Sequence, residues 1–162
     1  MAEKSLILGI TGSRTEPKLA QLITLDNWFK SAYRQYDYVE VHHGDCIGAD
    51  DFAHRMASRY GFQTCVHPPT NKAFVMNHKG SFGNYPDKPY LERNREIVAC
   101  STMVIALPNT FKEQQRGGTW HCARFAQASM KDVLIIWPDG KTKLWPSYHE
   151  TDDIPFDKWL RT

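Results

Sequence analysis

The sequence predicts an α/β fold, a three-layer sandwich with a mostly parallel sheet of five or six strands and helices on both faces. Three observations predict it. Apolar runs of strand length alternate along the chain with segments whose apolar residues recur at helical spacing. Several runs are apolar throughout rather than every second residue, as in parallel strands covered on both sides. Three runs are followed by glycine-bearing turns, Thr11-Gly12-Ser13-Arg14, Gly44-Asp45-Cys46-Ile47-Gly48-Ala49-Asp50 and Gln115-Arg116-Gly117-Gly118-Thr119. In such folds ligands gather beyond the carboxyl ends of the strands, where these turns lie.

The elements follow in order. Ser5 to Ile10 is the first strand, and after the Gly12-Ser13-Arg14 turn Pro17 suits the first turn of a helix. Leu19, Leu22, Ile23, Trp28, Phe29, Ala32 and Tyr33 then recur at helical spacing, a stripe that reads as core. Tyr38 to His42 is the second strand. Ala49, Phe52, Ala53, Met56, Ala57 and Tyr60 form a helical face closed by Gly61 as a C-cap. Phe62 to Val66 is the third strand, stopped by His67-Pro68-Pro69. The segment from Pro68 to Pro89 is a long loop, which in a small domain is either a lid over a ligand or an insertion that decorates the surface. Leu91 to Cys100 is a short helix, Thr102 to Leu107 the fourth strand, and a helix runs from the Gly117-Gly118 turn to about Met130. Val133 to Trp137 is the fifth strand. Lys143 to Trp145 adds an edge strand to a tail, residues 138–162, that packs across the body. The whole chain, 1–162, reads as a single domain, a size that buries enough apolar surface to fold unaided.

Composition narrows the function. With 41% hydrophobic and 23% charged residues, wholesale disorder is excluded. A formal charge of +2 with scattered basic residues argues against nucleic acid as the partner. No apolar stretch approaches the ~20 residues that span a bilayer, and no signal-peptide pattern opens the chain, so cytoplasmic residence is the default and no membrane partner is expected. The four cysteines form no Cys-x-x-Cys pair and the histidines have no helical ligand spacing, so neither a metal nor a cofactor is expected.

The turns carry the chemistry. Adjacent glycines let backbone approach a ligand, and a helix start behind them aims N–H groups at an anion. Neither the dinucleotide fingerprint nor a Walker-type loop is present, so the cradle suits a nucleotide or nucleotide-derived phosphorylated ligand without ordinary ATP hydrolysis. The expected ligand-binding residues are Gly12, Ser13, Arg14, Gly44, Asp45, Arg93, Arg116, Gly117, Gly118, Thr119 and Trp120. Arginine suits phosphate through its bidentate fork. Trp120 could stack on a base or pack in the core. Arg93 and Arg95 lie on different helical faces, so at most one addresses the site.

The set Gly9-Ile10-Thr11-Gly12-Ser13-Arg14, His43 to Asp50, Glu92-Arg93-Asn94-Arg95 and Arg116-Gly117-Gly118-Thr119-Trp120 resembles the SLOG superfamily, Rossmann-like proteins related to the lonely-guy phosphoribohydrolases and to DprA/Smf. The small stand-alone YspA-like branch is the nearest likeness, and it covers roughly residues 5 to 137. The resemblance implies glycine loops that hold nucleotides or nucleotide-derived signals, and a homo-oligomer. In lonely-guy enzymes an arginine and a glutamate cleave the N-glycosidic bond of a nucleoside monophosphate. Glu92-Arg93-Asn94 matches the arginine's motif, whereas Gly117 to Arg124 contains no carboxylate where the glutamate belongs. Asp45, on an open turn, is the expected substitute, with Arg93 beside it and His121 as a proton donor; Asp50 is read as a helix-start residue. Three readings therefore stand: a binder that senses or sequesters its ligand, a nucleotide N-glycosidase, and a single-stranded nucleic-acid binder.

Overall fold

β1 (Ser5–Gly12) lies at the centre of the sheet because both of its faces are covered. Leu6, Leu8 and Ile10 point to one side, where α1 (Leu19–Gln35) and α2 (Ala49–Arg59) pack around Leu25, Phe29, Ala53 and Ala57. Its other side meets α3 (Tyr90–Cys100), and Gly9 keeps this approach close, since a Cβ there would press on Ser101 and Ile97. The computed structural model describes residues 3–147.

β2 (Tyr38–His43), β3 (Gln63–Val66) and β4 (Gly83–Asn84) extend the sheet on one side of β1. β5 (Met103–Leu107), β6 (Asp132–Ile136) and β7 (Thr142–Trp145) extend it on the other, giving the order β4-β3-β2-β1-β5-β6-β7. Every neighbouring pair is parallel except β6 with β7. α4 (Gly118–Ala128) joins α3 on the second face, over Val104, Ala106, Val133 and Ile135. The chain leaves β1 toward β2 and later returns to pair β5 against its other edge. The carboxyl ends of β1 and β5 therefore open a crevice at the reversal point.

The structure differs from the sequence expectation in informative places. Among the described residues the sheet has seven strands rather than five or six. β4 is a two-residue pairing inside the long segment 68–89, too short to leave a periodic signal. That segment is tied down at several points: Ile47 N–H donates to Phe74 O at 2.9 Å and Met76 N–H to Asp45 O at 2.9 Å. Pro17 precedes the first helix instead of entering it, because Lys18 is extended at its N-cap. The apolar stripe of α1 is not all core. Leu19, Ile23 and Tyr33 are exposed, while Gln21 is buried because its amide donates to Pro108 O (3.0 Å) and Ile136 O (2.7 Å). The C-terminal tail is described only to residue 147, and the expected packing of 148–162 lies outside the described residues.

Phe29 anchors the α1 face. It is fully buried, with its ring centroid 5.5 Å from that of Phe62 and 6.2 Å from that of Tyr60. Phe29→Ala should destabilise the fold by about 3–5 kcal/mol, read as a lower urea midpoint with unchanged slope. A loss below about 1 kcal/mol would mean that the rings repack freely and the packing assigned here is wrong.

Candidate functional site

A cavity of about 460 Å³ opens at the reversal point. Its wall is built from the end of β1 (Thr11 to Arg14), the turn after β2 (Gly44, Cys46, Asp50), the start of α3 (Tyr90, Arg93, Asn94) and the start of α4 (Gly118, Thr119). Ser13, Gly44 and Gly118, taken from three separate turns, thus line one space.

Two helices begin here, with different electrostatics. α2 starts at Gly48, whose φ of +86° is a conformation that side chains rarely adopt and whose position leaves no room beside Ser13 O and Arg14. Its first turn already carries Asp50 and Asp51, which answer the positive end of the helix dipole. α4 has no acidic residue in its first turn and no side-chain cap. Its first backbone bond is His121 N–H to Gly117 O (3.0 Å), so the amides of Gly118 and Thr119, both cavity-lining residues, have no helical partner. The start of α4 is therefore the anion-seeking one.

Arg93 supplies buried positive charge. It is 6% exposed, and Nη1 donates to Gly44 O at 2.5 Å and to His67 O at 3.2 Å, while Nε donates to Asn94 Oδ1 at 2.8 Å. This seat requires Gly44, because a Cβ there would collide with the guanidinium. Arg14 is exposed and lies over the rings of Phe74 (4.3 Å) and Tyr90 (5.2 Å), which leaves its charge at the mouth. The buried Tyr90 hydroxyl has no hydrogen-bond partner among the described residues.

Asp50 is the cavity's carboxylate. Its Oδ2 accepts from Gly44 N–H (3.1 Å) and Cys46 N–H (3.3 Å). Burial pushes its pKa up to about 6, against the pull of nearby Arg93 and of the two amides. A carboxyl so placed titrates near neutrality, a common property of functional acids.

The remaining expected residues are arranged differently. Asp45 is absent from the cavity wall: with φ +59° it turns toward the long loop, its Oδ1 accepts from His78 N–H at 2.9 Å, and burial raises its pKa. Trp120 is 3% exposed and packs between Trp137 and Trp145, with centroids 5.7 and 5.8 Å away, so no base can reach its face. Arg116 and Gly117 are exposed and do not line the cavity. His121 lies off the wall, and burial together with Arg95 and Arg124 lowers its pKa. Arg95 sits over Phe125, leaving Arg93 as the inward arginine of the pair.

Sequence reasoning missed Asn94 and Tyr90, whose roles depend on where α3 begins. It also missed two histidine groups on opposite faces of β2. On one face His43 Nε2 meets His54 Nδ1 at 2.8 Å, and His78 Nε2 meets Asp51 Oδ1 at 2.7 Å. On the other, His42 and His67 lie between Glu40 and Glu96. The polar residues Glu40, His42 and His43 in a buried strand were the available signal.

No family model matches the chain, and no curated protein matches it. Solved structures do. A molybdenum cofactor binding protein from Rippkaea orientalis superposes with a TM-score of 0.64 at 17% identity, covering 84% of this chain and 78% of that one. DNA processing protein A (DprA) from Streptococcus pneumoniae gives 0.60 at 16% identity, covering 82% of this chain and 53% of that one. The Moco carrier protein from Chlamydomonas reinhardtii gives 0.57 at 16% identity, covering 82% and 76%. At these identities the likeness shows the fold alone, a Rossmann-like α/β sandwich. In this chain the cavity occupies the sheet's reversal point.

Asp50 yields a signed pH dependence. Its folded pKa is raised above the usual 3.8, so it contributes stability below that value which is lost as pH rises through about 6. Asp50→Asn removes the burdened charge. Its melting temperature relative to the parent should climb as pH rises from about 4 to about 7 and level off above. A difference independent of pH would show that Asp50 titrates normally.

Proposed function

We propose that the protein binds a phosphorylated, nucleotide-derived small molecule and holds it as a sensor or sequestering protein. One observation carries this reading: the uncapped, acid-free start of α4 and the guanidinium groups of Arg14 and Arg93 face a single cavity. The phosphate sits at Gly118 and Thr119, the hydroxyl of Ser13 donates to it, and Arg14 closes over it from the mouth. Ser13 Oγ already accepts from Thr15 N–H at 3.0 Å, which leaves its proton free to donate. A volume of about 460 Å³ suits a ligand of that size. The likeness to proteins named for binding or carrying a molybdenum cofactor supports a holding role over turnover.

A second reading, cleavage of the N-glycosidic bond of a nucleoside monophosphate, is favoured by Asp50 alone. Bond cleavage develops positive charge on the ribose, and a carboxylate lining the same cavity as the phosphate seat can stabilise it. The carboxylate therefore comes from Asp50 rather than Asp45 in this reading.

The test is calorimetric titration with a panel of nucleoside monophosphates, followed by chromatography for free base. Gly118→Val should abolish binding while leaving thermal stability nearly unchanged, because a Cβ at Gly118 meets nothing within 4 Å and a larger side chain projects into open cavity space. Arg14→Ala should weaken binding by about 1.5–3 kcal/mol, the worth of a charge-assisted hydrogen bond. Unchanged affinity in both variants would refute the assigned phosphate seat. Release of base that disappears in Asp50→Asn would instead establish the hydrolase.

A further inference from the structure

Behind the cavity wall, the face of β2 opposite α2 carries a linear array of four side chains. Glu40 Oε1 lies 2.6 Å from His42 Nε2, His42 Nδ1 lies 2.7 Å from His67 Nε2, and His67 Nδ1 lies 2.7 Å from Glu96 Oε1. Both imidazoles are essentially inaccessible, at 1% and 0% exposure.

Counting protons shows that the array is incomplete. Three contacts between potential acceptors need three protons. Two neutral imidazoles bring two, and two ionised carboxylates bring none. If each carboxylate takes the N–H of its own histidine, the two inner nitrogens face each other as bare lone pairs, and such a pair repels unless a cation lies between.

The arrangement has the form of a metal centre with its outer supports in place. A metal-bound histidine ordinarily donates its far N–H to a carboxylate, which fixes tautomer and ring orientation. Glu40 does this for His42 and Glu96 for His67, and Lys88 ion-pairs with Glu96 in turn. One ring nitrogen of each histidine and the thiol of Cys100 lie within 4.8 Å of one another, with the Tyr85 hydroxyl 3.7 Å from the sulfur. Two imidazoles and a thiolate are the donor set of a borderline-soft divalent ion.

We propose that His42 Nδ1, His67 Nε2 and Cys100 Sγ bind a zinc-like divalent transition-metal ion that fastens α3 to β2 and β3. On tetrahedral zinc two nitrogens sit about 3.3 Å apart, so the rings need to separate by roughly 0.6 Å. Binding releases one proton, from the Cys100 thiol to solvent, and both histidines keep the N–H held by their carboxylates. The site is independent of the ligand reading above, since none of its three ligands lines the cavity.

The test uses the full chain stripped with a chelator and titrated with Co²⁺ and with Zn²⁺. About one Co²⁺ per chain should bind, with a thiolate-to-metal charge-transfer band in the near ultraviolet that vanishes in Cys100→Ser and persists in Cys65→Ser. Zn²⁺ should displace Co²⁺ and raise the melting temperature of the parent but not of His67→Ala. Absence of both metal retention and the band would overturn the proposal in favour of a proton shared by the two histidines. Loss of the band in Cys65→Ser with its retention in Cys100→Ser would overturn the ligand set.

Discussion

The guanidinium of Arg93 is the point at which sheet, helices and cavity meet. It is carried on α3 and buried at the carboxyl ends of β2 and β3, where Nη1 donates to the carbonyls of Gly44 and His67. Burying a charge is costly unless hydrogen bonds and an opposite charge compensate for it. Here the compensation comes from those carbonyls, from Asn94 and from the nearby carboxylate of Asp50. The constraint propagates to the sequence, because position 44 tolerates no side chain. Removing this contact would separate α3 from the strand ends and open the cavity floor.

The same few residues give two neighbouring helix starts different electrostatics. α2 and α4 both begin after a glycine of positive φ, at Gly48 and Gly117. In α2 the first turn is acidic, and Asp50 already engages the amides of Gly44 and Cys46. In α4 the first turn holds no acid, so its dipole is unanswered. One positive helix end, one buried arginine and one exposed arginine at the mouth therefore share a wall with a carboxylate poised near neutrality. That combination is the physical basis of the proposed phosphorylated ligand.

Much of the fold was legible because its signals are local. The apolar runs of β1 and β5 and the helical face of α2 with its Gly61 cap can each be read from a dozen consecutive residues. The glycine turns marked the strand ends, and the cavity lies there. What failed to show was non-local. The choice between Asp45 and Asp50 depends on a backbone turn: Asp45 sits at φ +59° and spends its carboxylate on the long loop, which leaves Asp50 facing inward. Trp120 looked equally suited to stacking and to packing until Trp137 and Trp145 were seen to enclose it. The histidines fell outside any ligand spacing because they come from adjacent strands. His42 and Cys65 are parallel-register partners, and only the sheet brings His67 and Cys100 alongside.

The proposed anion seat is the set of backbone amides that open α4. Amide-resolved NMR during titration with a nucleoside monophosphate tests it most directly. The Gly118 and Thr119 amide signals should move first and furthest, accompanied by Ser13 and by the side-chain Nε–H of Arg93. Perturbations confined to Asp45, His121 and the loop around His78, with Gly118 and Thr119 unmoved, would contradict it.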